Sequence, residues 1–160
     1  MKKIKNTFIY IIFVVVSLII FYILIAKEYK SNTIEVNSDL LDLHISVPSY
    51  YEVTRRFHIL NITNDKGEIT ISRYGSFFDN LDDHLKDLSN KNNVEIQILE
   101  KIPSDEYQIY KVKFDKGANT KPEDISYLIL TRYTIYTFQA NSEALYPDLD
   151  AIAKSFRYNP

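Results

Sequence analysis

The chain contains no cysteine, no tryptophan and only three glycines, Gly67, Gly75 and Gly117, in 160 residues. Without cysteine there is no disulfide, no thiolate metal site, no cysteine nucleophile and no lipid-modified cysteine. Three scattered glycines cannot build a dinucleotide fingerprint or a phosphate-cradling loop. No serine lies in a G-x-S-x-G elbow. No cofactor motif is therefore readable. What the chain does have is 46% apolar and 25% charged residues, the composition of one folded domain with a short appendage.

The appendage is N-terminal. Residues 8–26 read FIYIIFVVVSLIIFYILIA, without a single charge. A helix of that length covers roughly 28 Å, close to the ~30 Å hydrocarbon thickness of a bilayer. A buried core helix is rarely so uniformly apolar. A cleavable signal peptide has a shorter apolar run and a small-x-small exit, whereas Leu24 stands here where a small residue is wanted. A retained transmembrane signal-anchor is expected, with Tyr10 and Tyr22 near the two interfaces.

Lys2, Lys3 and Lys5 precede the run, and Lys27 and Lys30 follow it with Glu28 between them. This bias puts residues 1–7 in the cytoplasm and the rest outside, periplasmic or extracellular in a bacterial host. The expected location is the bacterial inner (cytoplasmic) membrane. Residues 1–30 hold five lysines and one glutamate, which leaves fourteen Lys/Arg against twenty Asp/Glu beyond them. So acidic an exterior part disfavours nucleic acid as a partner. It equally disfavours lying flat on an anionic lipid surface.

Residues 27–38 read as a polar linker and residues 39–160 as the folded domain. Residues 40–47 alternate as a half-buried strand. Residues 57–63 and 68–74 form a hairpin across Asn64–Gly67, where glycine can take positive φ. From Ser76 the period changes: Leu81, Leu85 and Leu88 recur at helical spacing, so a helix is expected over 79–90 with a capping-box-like start at Ser76. Residues 94–101 and 107–114 alternate again, and 115–124 form a surface loop. Residues 125–140 are too long for one strand and split near Thr131-Arg132; both their faces are apolar, as in the middle of a covered sheet. A last helix starts at Pro147, with Leu149, Ile152, Ala153 and Phe156 on one stripe. The expected class is α+β, a mainly antiparallel β-sheet flanked by α-helices and preceded by one transmembrane helix.

This layout resembles the Mog1/PsbP-like fold. The resemblance rests on HISVPSYYEV (44–53), the hairpin across Asn64–Gly67, NLDDHLKDL (80–88), the later meander and the closing DAIAKSFRY (150–158) with its serine–phenylalanine pair. It covers about residues 34–158, and membrane-associated bacterial members are the closer comparison. The resemblance implies a binding or accessory role and brings no shared catalytic motif.

Three constellations could carry chemistry. Asp79, Asp83 and Asp87 share a helix face near His84, but ligands on one regular helix cannot wrap a cation, and a solvated face explains them. His44, His58 and His84 have no motif that gathers them with a serine and an acid, and twenty acids are simply a soluble surface. The tyrosines at 107, 110, 127, 133 and 136 read as sheet packing with solvated hydroxyls. Tyr50, Tyr51, Arg55 and Arg56 follow the strand break and combine the residue types that interface anchors favour, so they form the candidate partner contact.

The expectation is a membrane-anchored extracytoplasmic binding or accessory protein without catalytic activity, acting through contacts with a protein partner near the membrane. An immunity protein that neutralises a secreted toxin is an alternative, and a hydrolase is a third.

Overall fold

The computed structural model describes residues 14–20, 32–115 and 124–158. Residues 14–20 are helical. The rest of the expected 8–26 span lies outside the described residues, as does most of the 115–124 loop. Among the described residues no helix is long and apolar enough to cross a membrane.

From residue 33 the described residues form ten strands, β1 (Thr33–Ser38), β2 (Leu43–Pro48), β3 (Glu52–Arg56), β4 (Ile59–Asn64), β5 (Gly67–Gly75), β6 (Glu95–Ile102), β7 (Gln108–Asp115), β8 (Asp124–Leu130), β9 (Thr134–Ala140) and β10 (Arg157–Tyr158). Helix α1 (Leu81–Asn92) separates β5 from β6, and α2 (Tyr146–Lys154) precedes β10. Seven strands form one sheet in the order β3-β4-β5-β9-β8-β7-β6, antiparallel at every junction. A smaller sheet runs β1-β2-β10. The expected α+β class with a mainly antiparallel sheet is what the chain builds.

The 27–38 linker is corrected at its C-terminal end, because Thr33–Ser38 is a strand beside β2. Its alternation is short, but Val36 and Ser38 are buried, and an edge strand needs only one such face.

Strand alternation explains the two cores. Odd positions of β8 and even positions of β9 (Tyr127, Ile129, Tyr136, Phe138) meet Leu149, Ile152 and Phe156 at the C-terminus and Leu43, Ile45 and Val47 of β2. The opposite parity (Leu128, Leu130, Ile135, with Tyr110 and Val112 of β7) packs on Leu81 and Leu85 of α1. The central strands are thus apolar on both sides, as their sequence requires. The serine–phenylalanine pair fastens the end of α2. Ser155 Oγ accepts from the Ser46 amide at 2.9 Å, while the buried Phe156 ring lies 5.0 Å from Tyr136 and 5.2 Å from Tyr107.

Helix termini differ in detail from expectation. The N-cap of α1 is Asn80, not Ser76: its side chain accepts from the Asp83 amide and donates to the Asp83 carboxylate, both at 2.8 Å. The cap thus falls four residues late, with the return bond made to the Asn80 side chain, while Ser76 instead caps a turn through Phe78. Helix α2 starts one residue before Pro147 and follows a 3-10 turn, Glu143–Leu145, capped by Ser142. Proline in the first helical turn loses no hydrogen bond.

Helix α1 packs over β6 and β8 and meets β5 through His84 and Tyr74.

Candidate functional site

The four sequence-predicted contact residues separate into structural and exposed members. Tyr51 is buried, and its hydroxyl donates to Asp148 at 2.8 Å. Tyr50 donates to the same carboxylate at 2.9 Å and its ring lies 4.9 Å from that of Tyr51. Asp148 lies in the first turn of α2, where the helix dipole favours a negative charge. Burial, reinforced by Asp148, pushes the Tyr51 hydroxyl well above the usual tyrosine range. Arg55 donates to the Asn37 carbonyl at 2.6 Å and ties β3 to β1. Arg56 is exposed at the end of β3.

Arg56 leads to a feature that sequence reading missed. The β3–β4 hairpin pairs Arg56 with Ile59, so Phe57 and His58 form a two-residue loop. Phe57 has φ of +50° and is 89% exposed. Such loops favour glycine or asparagine at positive φ, and a bulky side chain there is uncommon. Two more aromatics stand on neighbouring turns of the same sheet end: Phe77 after β5, 103% exposed, and Tyr133 in the β8–β9 turn, 65% exposed. Backbone hydrogen bonds join these turns, Arg73 amide to His58 carbonyl at 3.3 Å and Ser76 amide to Tyr133 carbonyl at 2.8 Å. Arg132 lies 5.1 Å from the Tyr133 ring. The signal was in the sequence as aromatics beside turn residues, but the missing glycine at 57–58 concealed the hairpin.

The other tyrosines do pack in the sheet, yet their hydroxyls are held by protein and not by solvent. Tyr107 donates to the Phe156 carbonyl at 2.7 Å, Tyr110 to Asp82 at 2.9 Å and Tyr136 to the Leu41 carbonyl at 2.7 Å. Tyr127 donates to Asp150 on α2.

The acidic helix is tied up locally. Asp82 binds Lys101 at 2.9 Å, which with the Tyr110 hydroxyl holds its carboxyl below the usual carboxylate range. The Asp83 carboxylate accepts from the side chain of the N-cap Asn80, and Asp87 pairs with Lys91 at 2.8 Å. Among the described residues no group of three or more His, Cys, Asp or Glu side chains could hold a metal ion. His84 is buried, accepts or donates at 3.1 Å to the Tyr74 hydroxyl and packs edge-on against Phe78.

One serine–acid–histidine set does occur. Glu35 bonds His44 Nε2 at 2.7 Å and accepts from Ser46 Oγ at 2.8 Å. The acid sits between the other two, so the histidine cannot take the serine proton, as a nucleophilic triad requires.

Along α1 there is also a groove of about 390 Å³. Its apolar lining is Leu88, Val94, Ile96, Phe114 and Leu128; Tyr74, Asn92, Thr137 and Gln139 add neutral polar groups.

No protein-family model matches the chain, and neither does any curated protein. Among solved structures, it is similar to the solution structure of cyanobacterial PsbP (CyanoP) from Synechocystis sp. PCC 6803, with a TM-score of 0.54 at 11% identity, over 79% of this chain and 92% of that one. At that identity the likeness speaks for architecture alone. The meander, the hairpin across Asn64–Gly67 and the helix closing on β2 are a PsbP/Mog1-like fold.

Proposed function

We propose that the protein is a non-catalytic accessory module that works through protein contacts beside a membrane, held there by residues 8–26. The observation that carries this reading is the aromatic sheet end. Phe57, Phe77 and Tyr133 project from three adjoining turns, with Arg56 and Arg132 beside them. Exposed aromatics next to arginine are the chemistry of interface anchors, and none of these side chains contributes to either core. The charge-free run supports the anchor, and the lysines before it support an extracytoplasmic domain.

The test is site-specific photocross-linking of the full-length chain in its native cells. A photoreactive residue at Phe77 should yield a discrete adduct with one partner, identified by mass spectrometry. The same group at Lys66, on the turn at the opposite sheet end, should not. Phe57→Ala should reduce the Phe77 adduct at least five-fold without changing the amount of protein. Equal adducts from both positions, or an adduct indifferent to Phe57, would reject the reading.

A further inference from the structure

The groove along α1 is distinct from the aromatic end and stands on its own observations. Its nine lining residues include no Asp, Glu, Lys, Arg or His, in a chain where 25% of residues are charged. Small-molecule sites are of this kind, ~300–1,000 Å³, mostly apolar with a few placed polar groups.

The sheet beneath the groove adds a second observation. Cross-strand register sets Thr54, Asn61, Thr70, Gln139 and Ser126 on one rung from β3 to β8. The rung lies one step along from Thr137 and Leu128, which share its face and line the groove. Ser126 is 1% exposed, and its hydroxyl has no hydrogen-bond partner. The Asn61 amide oxygen on the same rung is likewise buried and unpartnered. Unsatisfied buried polar atoms are rare in folded proteins and destabilise them by ~1–3 kcal/mol. Of the two, Ser126 pairs with Gln139 and stands two residues from Leu128, both in the groove lining, so its hydroxyl marks a place where a ligand supplies what the chain does not.

We propose that this groove binds a small neutral amphiphile. Its unbranched apolar part lies against Leu88, Val94, Ile96, Phe114 and Leu128, and a hydroxyl or amide head reaches Thr137, Gln139 and the Ser126 rung. A carboxylate or ammonium head would lose its hydration with no opposite charge to meet it, so charged amphiphiles of equal length bind more weakly.

The test uses the full-length chain in phospholipid nanodiscs and a decanamide carrying a diazirine near its chain end. After irradiation, labelled peptides should map to residues 88–96, 112–114 and 126–128. Unlabelled decanamide should compete at least ten-fold better than decanoate or decylammonium at equal concentration. Leu88→Arg, on the half-exposed side of α1, should cut labelling at least five-fold while circular dichroism stays unchanged. Leu128→Trp, which fills the floor, should do the same. Labelling confined to residues 8–26, equal competition by all three head groups, or labelling unchanged in both variants would overturn the proposal. So would displacement by an uncharged extended peptide but not by decanamide, which would make the groove a peptide site.

Discussion

The Tyr51 hydroxyl and the Asp148 carboxylate, 2.8 Å apart, join the segment after β2 to the first turn of α2. They are 97 residues apart in sequence, so the bond closes the fold at its C-terminal helix. Tyr51→Phe should lower stability by about 1 kcal/mol, the usual loss for a hydrogen bond to a charged acceptor that a neighbour partly replaces. The neighbour is Tyr50, which reaches the same carboxylate. Urea unfolding measures it. A change below ~0.3 kcal/mol would mean that the two tyrosines are redundant and Tyr51 is retained for its ring alone.

Phe57 separates function from stability in the opposite direction. A left-handed conformation strains an L-residue other than glycine or asparagine by ~1–2 kcal/mol. Phe57→Asn should therefore raise stability by about 0.5–1 kcal/mol while weakening the partner adduct. Thermal unfolding and cross-linking on the same variant would check both halves.

His84 gives the domain an acid-sensitive helix. Burial lowers its pKa, with Asp87 opposing that shift and Lys91 adding to it. The folded state then holds the imidazole neutral, so the unfolded chain binds the proton more readily. Stability contributed here is complete above the unfolded value of about 6.5 and is lost as pH falls through it toward the folded value. Tyr74, Phe78, Asp87 and Lys91 surround the ring, and none offers a buried counter-ion. Denaturant midpoints between pH 7 and pH 5 should drop more steeply in the parent than in His84→Gln.

The absence of cysteine makes the topology directly measurable. Ser104 lies on the exposed β6–β7 connection, so Ser104→Cys introduces one reactive thiol with no background. If the domain lies outside the cytoplasm, a membrane-impermeant maleimide should label intact cells as fully as lysed ones. Labelling only after lysis would place the domain in the cytosol.

Much of the fold was legible because period-2 and period-3.6 patterns alternate cleanly along the chain. The turn at Gly67 was readable from chemistry: φ there is +143°, and an added Cβ would come within 2.4 Å of Asn141 Oδ1. The split near Thr131-Arg132 held without a glycine, because both flanking segments pair in register. Strand β1 was hidden because TIEVNS shows only Val36 and Ser38 to the core. The surroundings of the candidate contact residues were not legible. Composition flagged Tyr50 to Arg56, but only tertiary structure reveals that Asp148 and Asn37 occupy three of the four. Phe77 stood beside a turn but could not be told from a core residue, since an aromatic after a strand reads as core until its exposure is known.

Strand β6 ends the large sheet with Ile98 and Leu99 exposed, yet the pairing shifts between Ile98 and Glu100. Leu99 thereby falls out of register, and Glu100 and Lys101 follow directly. An incoming chain would meet a kinked ladder and two opposite charges in place of a straight template. Crowded molecules should consequently stay separate and not zip edge to edge into fibrils, even where local concentration is high.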